Sequence, residues 1–464
     1  MILEMTHTKK LSDRQNFVEI FNAALKAVDP YKAVLRAVKV ERDRLHVSGA
    51  QYDLAAFERI IVVGAGKATA RMALALESLL GEKIAAGLIV VKDGHAAVLS
   101  IIEQVESSHP VPGVSGAAAT LRILEMARVA DEKTLCICLI SGGASALLVA
   151  PVSGITLQDK QDTTRLLLNA GASIQELNAV RKHLSMVKGG RLAQAAYPAQ
   201  VLTLILSDVI GDALDVIASG PSAADESTFA DAWAVLEKFG LQKKLPARVV
   251  EYLQRGLAGE VAETVKQNDP CLDKTRNTII ASLHEAMVAA QETSRRLGYD
   301  TKIISGTLQG EAREAAHFLA LAARDELAAM QADETRCLLC GGETTVTVRG
   351  MGKGGRNQEF ALAFALEIEG WQGVTLLSAG TDGTDGPTDA AGAMVDGRTA
   401  AWACSLGIDP AKYLDDNDSY TFFERFDAAT GARSHFKIGT TGTNVMDMQI
   451  VLLHKTSLSS GLSA

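Results

Sequence analysis

Aromatic side chains are scarce in this sequence: Phe, Tyr and Trp together supply 5% of its 464 residues. So thin a supply speaks against a base-stacking platform for single-stranded nucleic acid. Positive charge is not in excess either, since 46 Lys and Arg face 55 Asp and Glu for a formal net charge of −9. That balance gives no general attraction for nucleic acid, although a local basic groove is compatible with it. Six cysteines are too few for a disulfide scaffold. Cys136 and Cys138 sit in the apolar run 135–140, and Cys337 and Cys340 form a CxxC with no second pair or His cluster to complete a zinc site. Both pairs read as buried strand residues. The first residues carry no apolar signal core. Residues 135–158 lack charge, but Ser141, Gly142, Gly143, Pro151 and Gly154 break the stretch into strand, loop and helix rather than a membrane span. The expected class is a cytoplasmic enzyme, monomer or homodimer, with neither nucleic acid nor membrane as partner.

What the chain does have is alternation. Hydrophobic residues make up 47% and charged residues 22%, ordinary for a globular protein, and the length suggests two to four domains at roughly 100–200 residues each. Apolar residues at helical spacing run over 16–28, and Asp29-Pro30 reads as an N-cap followed by proline at the first helical position. Short apolar runs at 59–63, 87–92, 134–140 and 201–206 alternate with helical stretches and end in turns containing Gly or Asp. This is the pattern of βαβ units and a parallel sheet. A polar stretch at 241–273 is read as the boundary. Beyond it a second series places strands at 276–281, 301–304, 337–339, 344–349, 374–378 and 445–453, with helices at 283–297, 311–330 and 357–368. The expected fold is α/β: a Rossmann-like N-terminal domain with a parallel sheet over 1–272, a smaller α/β domain over 273–456, and a loose tail over 457–464.

The chemistry-bearing residues cluster where apolar runs stop. Val63-Gly64-Ala65-Gly66-Lys67 follows a strand and precedes a helix, where backbone N–H groups and the helix dipole suit an anion. It is not a Walker A loop, which needs four residues between its first Gly and Gly-Lys-Ser/Thr, and it is not a full dinucleotide fingerprint, because position 69 is Thr. Lys67 is a positive charge at the unfavourable end of the dipole, a placement that makes sense beside an anion. Ser141-Gly142-Gly143-Ala144-Ser145 offers the same amide and hydroxyl chemistry. Arg181, Lys182, His183, Lys188 and Arg191 reverse the acidic balance locally, and an arginine fork suits carboxylate or phosphate. Asp208 ends a strand, where it can hold Mg²⁺ through water or accept a hydroxyl proton. Arg356 follows three glycines at a helix start, repeating the logic of Lys67. In the run 380–389, Asp382, Asp385 and Asp389 have no EF-hand spacing but could serve a divalent ion. The turn 439–444 is rich in glycine and hydroxyls.

Together these segments resemble the class II glycerate 2-kinase family, whose C-terminal module is the MOFRL domain. The resemblance spans about residues 14–455. It rests on VVGAGKA (62–68), SSHPVPG (107–113), LISGGASALL (139–148), LNAVRKHLSMVKGGRLA (177–193), LSDVIGD (206–212), IASGPS (217–222), GGRNQEFAL (354–362), AGTDGTDGPTDAAGA (379–393) and GTTGTN (439–444). It implies transfer of the ATP γ-phosphoryl to the 2-hydroxyl of D-glycerate with Mg²⁺, giving 2-phosphoglycerate, at a site between the two domains. The family's functional lysine and arginine fall on Lys67 and Arg356. The resulting assignment makes Lys67, Arg356 and Asp208 catalytic, and places Gly64, Gly66, Ser141, Gly142, Gly143, Ser145 and Thr381 on the nucleotide. Ser107, His109, Arg181 and Asn357 go to the substrate. Asp208 and Asp382 go to the metal, with the base and metal roles not separated. Family members have also been labelled hydroxypyruvate reductases, which supplies the alternative of an NAD(P)H-dependent reductase.

Overall fold

The computed structural model describes residues 2–455, with side chains described from residue 13 onward. The expected loose tail, 457–464, lies outside the described residues. The chain divides into two compact units, one of residues 29–282 and one that joins 2–28 to 283–455.

The 29–282 unit begins with the helix Pro30–Ala37, capped by the Asp29 carboxylate, which accepts the Lys32 amide at 2.9 Å. A three-stranded antiparallel meander follows: β1 (Val38–Glu41), β2 (Arg44–Val47) and β3 (Ala50–Asp53). Sequence reading missed it because the strands are short and heavily charged. The main sheet contains β4 (Arg59–Ala65), β5 (Ile84–Lys92), β6 (Glu103–Ser107), β7 (Thr134–Ile140), β8 (Gln200–Leu206) and β9 (Thr275–Ala281) in the order β6-β5-β4-β7-β8-β9. Every pairing is parallel. Such strands are covered on both faces, and β7 is buried at all its positions, its two cysteines included. The chain winds outward one way through β5 and β6 and the other way through β7, β8 and β9. The reversal lies between β4 and β7, and sheets of this kind bind ligands beyond the strands' carboxyl ends at that point.

The boundary differs from the expectation of 272/273. The polar stretch 241–273 holds the helices Ala247–Leu257 and Pro270–Asp273, and Val249 and Leu253 pack in one core with Phe229, Leu236 and Leu177. Polarity there marks the outer face of amphipathic helices. The strand at 276–281 pairs in parallel with β8 and completes the first sheet.

The other unit contains β10 (Asp300–Leu308), β11 (Thr335–Gly342), β12 (Val374–Gly380), β13 (Gly392–Asp396), β14 (His435–Phe436) and β15 (Asp447–His454), ordered β10-β11-β15-β12-β13-β14. Only β10 and β11 run parallel. The helix Arg356–Glu367 is buried from Asn357 to Ala365, and Phe360 and Phe364 anchor its core. The helix Ile2–Ala27 belongs to this unit rather than to the N-terminal domain. Asn16 donates to the Tyr299 hydroxyl at 2.9 Å, Asp13 pairs with His454 at 2.8 Å, and Phe21 sits edge-on to Phe436. The expected strand at 344–349 is an irregular segment holding one isolated bridge, Glu311 to Thr345. Burial pushes the Cys337 and Cys340 thiols up to about 12, which leaves that CxxC inert.

The division makes a direct prediction. A fragment of residues 29–282 should fold with a cooperative thermal transition, whereas 29–272, which removes β9 and bares the edge of β8, should aggregate or lose cooperativity. Circular dichroism melts of the two fragments check it. Equal behaviour would contradict the placement of β9.

Candidate active site

In the 29–282 unit the loops after β4 and β7 interlock. The Ser141 amide donates to the Ala65 carbonyl at 3.2 Å and the Lys67 amide to the Gly142 carbonyl at 2.8 Å. The Ser141 hydroxyl accepts the Ala68 amide at 3.0 Å and bonds the Thr69 hydroxyl at 3.0 Å. A Cβ on Gly66 would lie 2.1 Å from that hydroxyl, so only glycine permits the contact. Thr69, where a dinucleotide fingerprint has its third small residue, is thereby occupied in joining the helix Thr69–Leu80 to β7. Gly143 has φ of +82°. Among the described residues, the Gly142 and Gly143 amides donate to no protein group. The Lys67 side chain and the His109 ring both lie beside Gly143, each within 3.3 Å of where a Cβ would stand. Lys67 itself lies in the turn before the helix rather than in its first turn, and its carbonyl accepts from His95 Nδ1 at 2.9 Å. Burial first, then Lys67, Lys92 and His95, push the His109 pKa down to about 4. The imidazole is neutral at physiological pH.

Farther along the loop after β7, Ser145 bonds Arg181 Nη2 at 2.7 Å and the Ser219 hydroxyl at 2.8 Å. Gly64, inside β4, serves backbone approach: its Cβ would fall 2.1 Å from the Leu139 carbonyl oxygen. Asp208 is half-buried immediately after β8. The loop beyond it holds Asp212, Ala218 and Ser219 at φ between 54° and 61°, backbone strain of the kind that concentrates at functional sites. Ser107, assigned to substrate from sequence, is buried and accepts the Gly116 amide at 3.1 Å. It supports the loop.

In the other unit the helix-terminal charge at Arg356 is answered by protein acids. Arg356 Nε and Nη2 clasp Asp447 at 2.6 and 3.0 Å, and Nη1 meets Glu343 at 2.8 Å. These carboxylates hold its pKa above the ordinary arginine value against the opposing effect of burial. The helix N-terminus is capped by Asp385, which accepts the Asn357 and Gln358 amides at 3.0 and 2.9 Å. In the structure, Asp385 meets this helix start and Asp447 its arginine. Asn357, assigned to substrate, is buried with its amide group spent on Asp385 and Ser378. Thr381, assigned to nucleotide, is buried, donates to the Met446 carbonyl at 2.6 Å and accepts the Val445 amide. Both are structural.

The acids of the run 380–389 separate. Asp382 caps its own turn by accepting the Thr384 amide at 3.1 Å, Asp385 caps the helix, and Asp389 takes the Tyr420 hydroxyl at 2.8 Å. Among the described residues no group of three or more His, Cys, Asp or Glu could hold a metal ion. Asp447 and Glu343 were missed. An acid opening an apolar strand reads as a turn residue, and only the pairing of β15 with β11 and β12 brings it beside Arg356.

Comparison with known proteins supplies the context. Residues 16–254 match a family described as a domain of unknown function, DUF4147, and residues 336–447 match the MOFRL family. A D-glycerate 2-kinase from Thermotoga maritima is 41% identical over 94% of this chain and 97% of its own length. A glycerate 2-kinase from Pyrococcus horikoshii is 40% identical over 95% of this chain and 97% of its own. A crystal structure of glycerate kinase from Thermotoga maritima superposes with a TM-score of 0.81 at 39% identity, covering 95% of this chain and 99% of that one.

The depressed His109 pKa yields a test. Proton NMR should show His109 titrating near pH 4, and Lys67→Met should move the midpoint upward, because one of the repelling charges is gone. The folded value lies below that of an unfolded histidine. The linked stability is thus complete above about pH 6.5 and is lost as pH falls toward 4. A midpoint near 6.5 in the unaltered protein would place His109 in water.

Proposed function

The chain belongs to the glycerate kinase family, and from that premise we propose that its ATP-dependent phosphoryl transfer goes to the 2-hydroxyl of D-glycerate, giving 2-phosphoglycerate and ADP. The observation that carries the chemistry is the pair of unspent amides at Gly142 and Gly143 beside Lys67, at the carboxyl ends of β4 and β7. Phosphoryl transfer asks a protein chiefly for positioning and charge neutralisation. Those amides and the lysine supply fixed donors for nucleotide phosphates, on a loop that Gly64, Gly66 and Ser141 lock in place. Neutral His109 offers a ring nitrogen to a substrate hydroxyl without adding charge. Arg181 serves the substrate, and Ser145, expected on the nucleotide, has its hydroxyl engaged by Arg181 and Ser219. Asp208, at the end of β8, accepts the 2-hydroxyl proton or holds the metal.

Magnesium is the proposed ion. It takes one or two carboxylates and leaves its other positions to water and phosphates. Asp208 in the 29–282 unit and Asp382 in the other, each a half-buried acid at a strand end, are separate candidates for that demand. A bound Mg²⁺ would neutralise charge on the transferred phosphoryl. Arg356 keeps two of its five N–H donors beyond the three that meet Asp447 and Glu343. Glu343, with 44% of its side chain exposed, holds a place that a phosphate oxygen can take at little electrostatic cost. Among the described residues no helix is long and apolar enough to cross a membrane, in keeping with a small-molecule substrate.

The parallel sheet order alone would also suit a dinucleotide, so the assay has two arms. With ATP, Mg²⁺ and D-glycerate, phosphorus NMR should show a secondary phosphate ester, and chelating the metal should stop its formation. With hydroxypyruvate and NADH or NADPH, nicotinamide absorbance should hold steady. A product that is solely 3-phosphoglycerate, or reductase turnover without kinase turnover, would falsify the assignment.

Lys67→Met should lower kcat/KM by about 10²–10³, the scale of removing one preorganised donor. Arg356→Lys should be nearly as damaging as Arg356→Ala, because an ammonium cannot span Asp447 and Glu343 as a planar fork does. Folded variants that keep more than about a tenth of the activity, far above that scale, would remove these residues from the chemistry.

A further inference from the structure

Among the described residues, three cations in the 29–282 unit meet only neutral groups. Lys160 Nζ donates to the Arg181 and Leu184 carbonyls at 3.0 and 3.1 Å. Lys188, fully buried, donates to the Ser145 carbonyl at 2.9 Å, the Ala218 carbonyl at 3.2 Å and the Ser145 hydroxyl at 3.3 Å. Arg181 Nη2 reaches the same hydroxyl and carbonyl at 2.7 and 3.2 Å, while its Nε and Nη1 donate to no described group. Among the described residues no carboxylate pairs with any of the three. Lys182, the next residue along the helix, shows the ordinary arrangement, with Asp225 at 3.1 Å and Asp215 at 3.2 Å. Burial lowers the pKa of Lys160 and Lys188 well below the usual lysine value, and neighbouring cations lower both further.

Ser145 is the meeting point. Its oxygen accepts from both Arg181 and Lys188, so its own proton turns to Ser219 at 2.8 Å, which donates in turn to Asn178 Oδ1 at 3.1 Å. Donors thus converge on a place that holds positive charge and no negative charge. A buried cation without an anion is costly, and a cluster of them is sustained where a ligand completes the charge.

We propose that Arg181, backed by Lys188 and Lys160 and fixed by Ser145, seats the carboxylate of the acceptor substrate. This rests on the glycerate kinase reading and extends it. A planar guanidinium with open N–H groups matches a carboxylate, and the nucleotide phosphates already have Lys67 and the Gly142 and Gly143 amides. The carboxylate carries the same charge in substrate and product. A fixed seat for it therefore binds ground state and transition state alike, and its loss falls on KM rather than kcat. Lys188 and Lys160 are positioning residues. Both are buried, whereas Arg181 is half-buried.

The experiment compares D-glycerate with the uncharged D-glyceramide as acceptors, in the unaltered enzyme and in Arg181→Gln, Lys188→Met and Ser145→Ala. The unaltered enzyme should favour D-glycerate by on the order of 10² in kcat/KM, since a site built for a charged group rejects the analogue that lacks it. Arg181→Gln should raise the KM for D-glycerate by roughly 10- to 100-fold, leave kcat and the KM for ATP within about threefold, and collapse the preference over the amide. Lys188→Met should do the same more weakly. Binding is read independently as the rise in melting temperature with D-glycerate alone, which Arg181→Gln should abolish while the rise with MgATP survives. If Arg181→Gln does not fold, Ser145→Ala, which leaves every cation in place, should still raise the KM for D-glycerate alone. A variant that binds MgATP normally and keeps both its D-glycerate KM and its preference over the amide overturns the proposal. An unaltered enzyme that phosphorylates neither acceptor overturns the kinase reading beneath it.

Discussion

The Ser141 hydroxyl is the contact on which the arrangement of the loops after β4 and β7 depends. It lies against Gly66 where any Cβ would collide, accepts the Ala68 amide and reaches Thr69. One side chain of β7's loop thereby fixes the turn after β4 and the start of the helix that follows. Among the described residues, the next two amides of the β7 loop donate to no protein group. Rigid, unspent donors are what electrostatic catalysis requires, since they need no rearrangement when charge develops. The parallel sheet supplies the same rigidity one level down: the interior of β4 and all of β7 are buried, and the loops have little room to relax.

How much of this was legible in the sequence follows from how local each signal is. Gly66-Lys67 and Ser141-Gly142-Gly143 announced themselves because an apolar run followed by small residues is a short-range pattern with a short-range cause. The order of strands was legible only as parallel alternation. Strand 276–281 carries nothing that says which sheet it joins, and the polar exterior of the helix Ala247–Leu257 passed for a linker. The first helix was visible in its spacing, but Phe21 gives no hint that its partner is Phe436, more than four hundred residues away. At Arg356 a positive charge at a helix start is plain in the sequence, and the protein acids that meet it are not. Asp385 and Asp447 reach the helix start from β12's loop and from β15, a conjunction that exists only after folding.

The two units handle buried positive charge in opposite ways. Arg356 is matched by Asp447 and Glu343, and the helix it opens is capped by Asp385. Among the described residues, Lys160, Arg181 and Lys188 are matched by carbonyls and hydroxyls alone. A carbonyl dipole satisfies a donor without cancelling its field, so the second arrangement still projects positive potential and the first projects little. An anion approaching the 29–282 unit gains the full attraction. An anion reaching Arg356 must exchange with Glu343, whose exposed position makes the exchange nearly neutral but not downhill. The asymmetry thus lies in the residues themselves: the cluster in the 29–282 unit keeps donors that no described carboxylate compensates, whereas Arg356 is already held by Asp447 and Glu343.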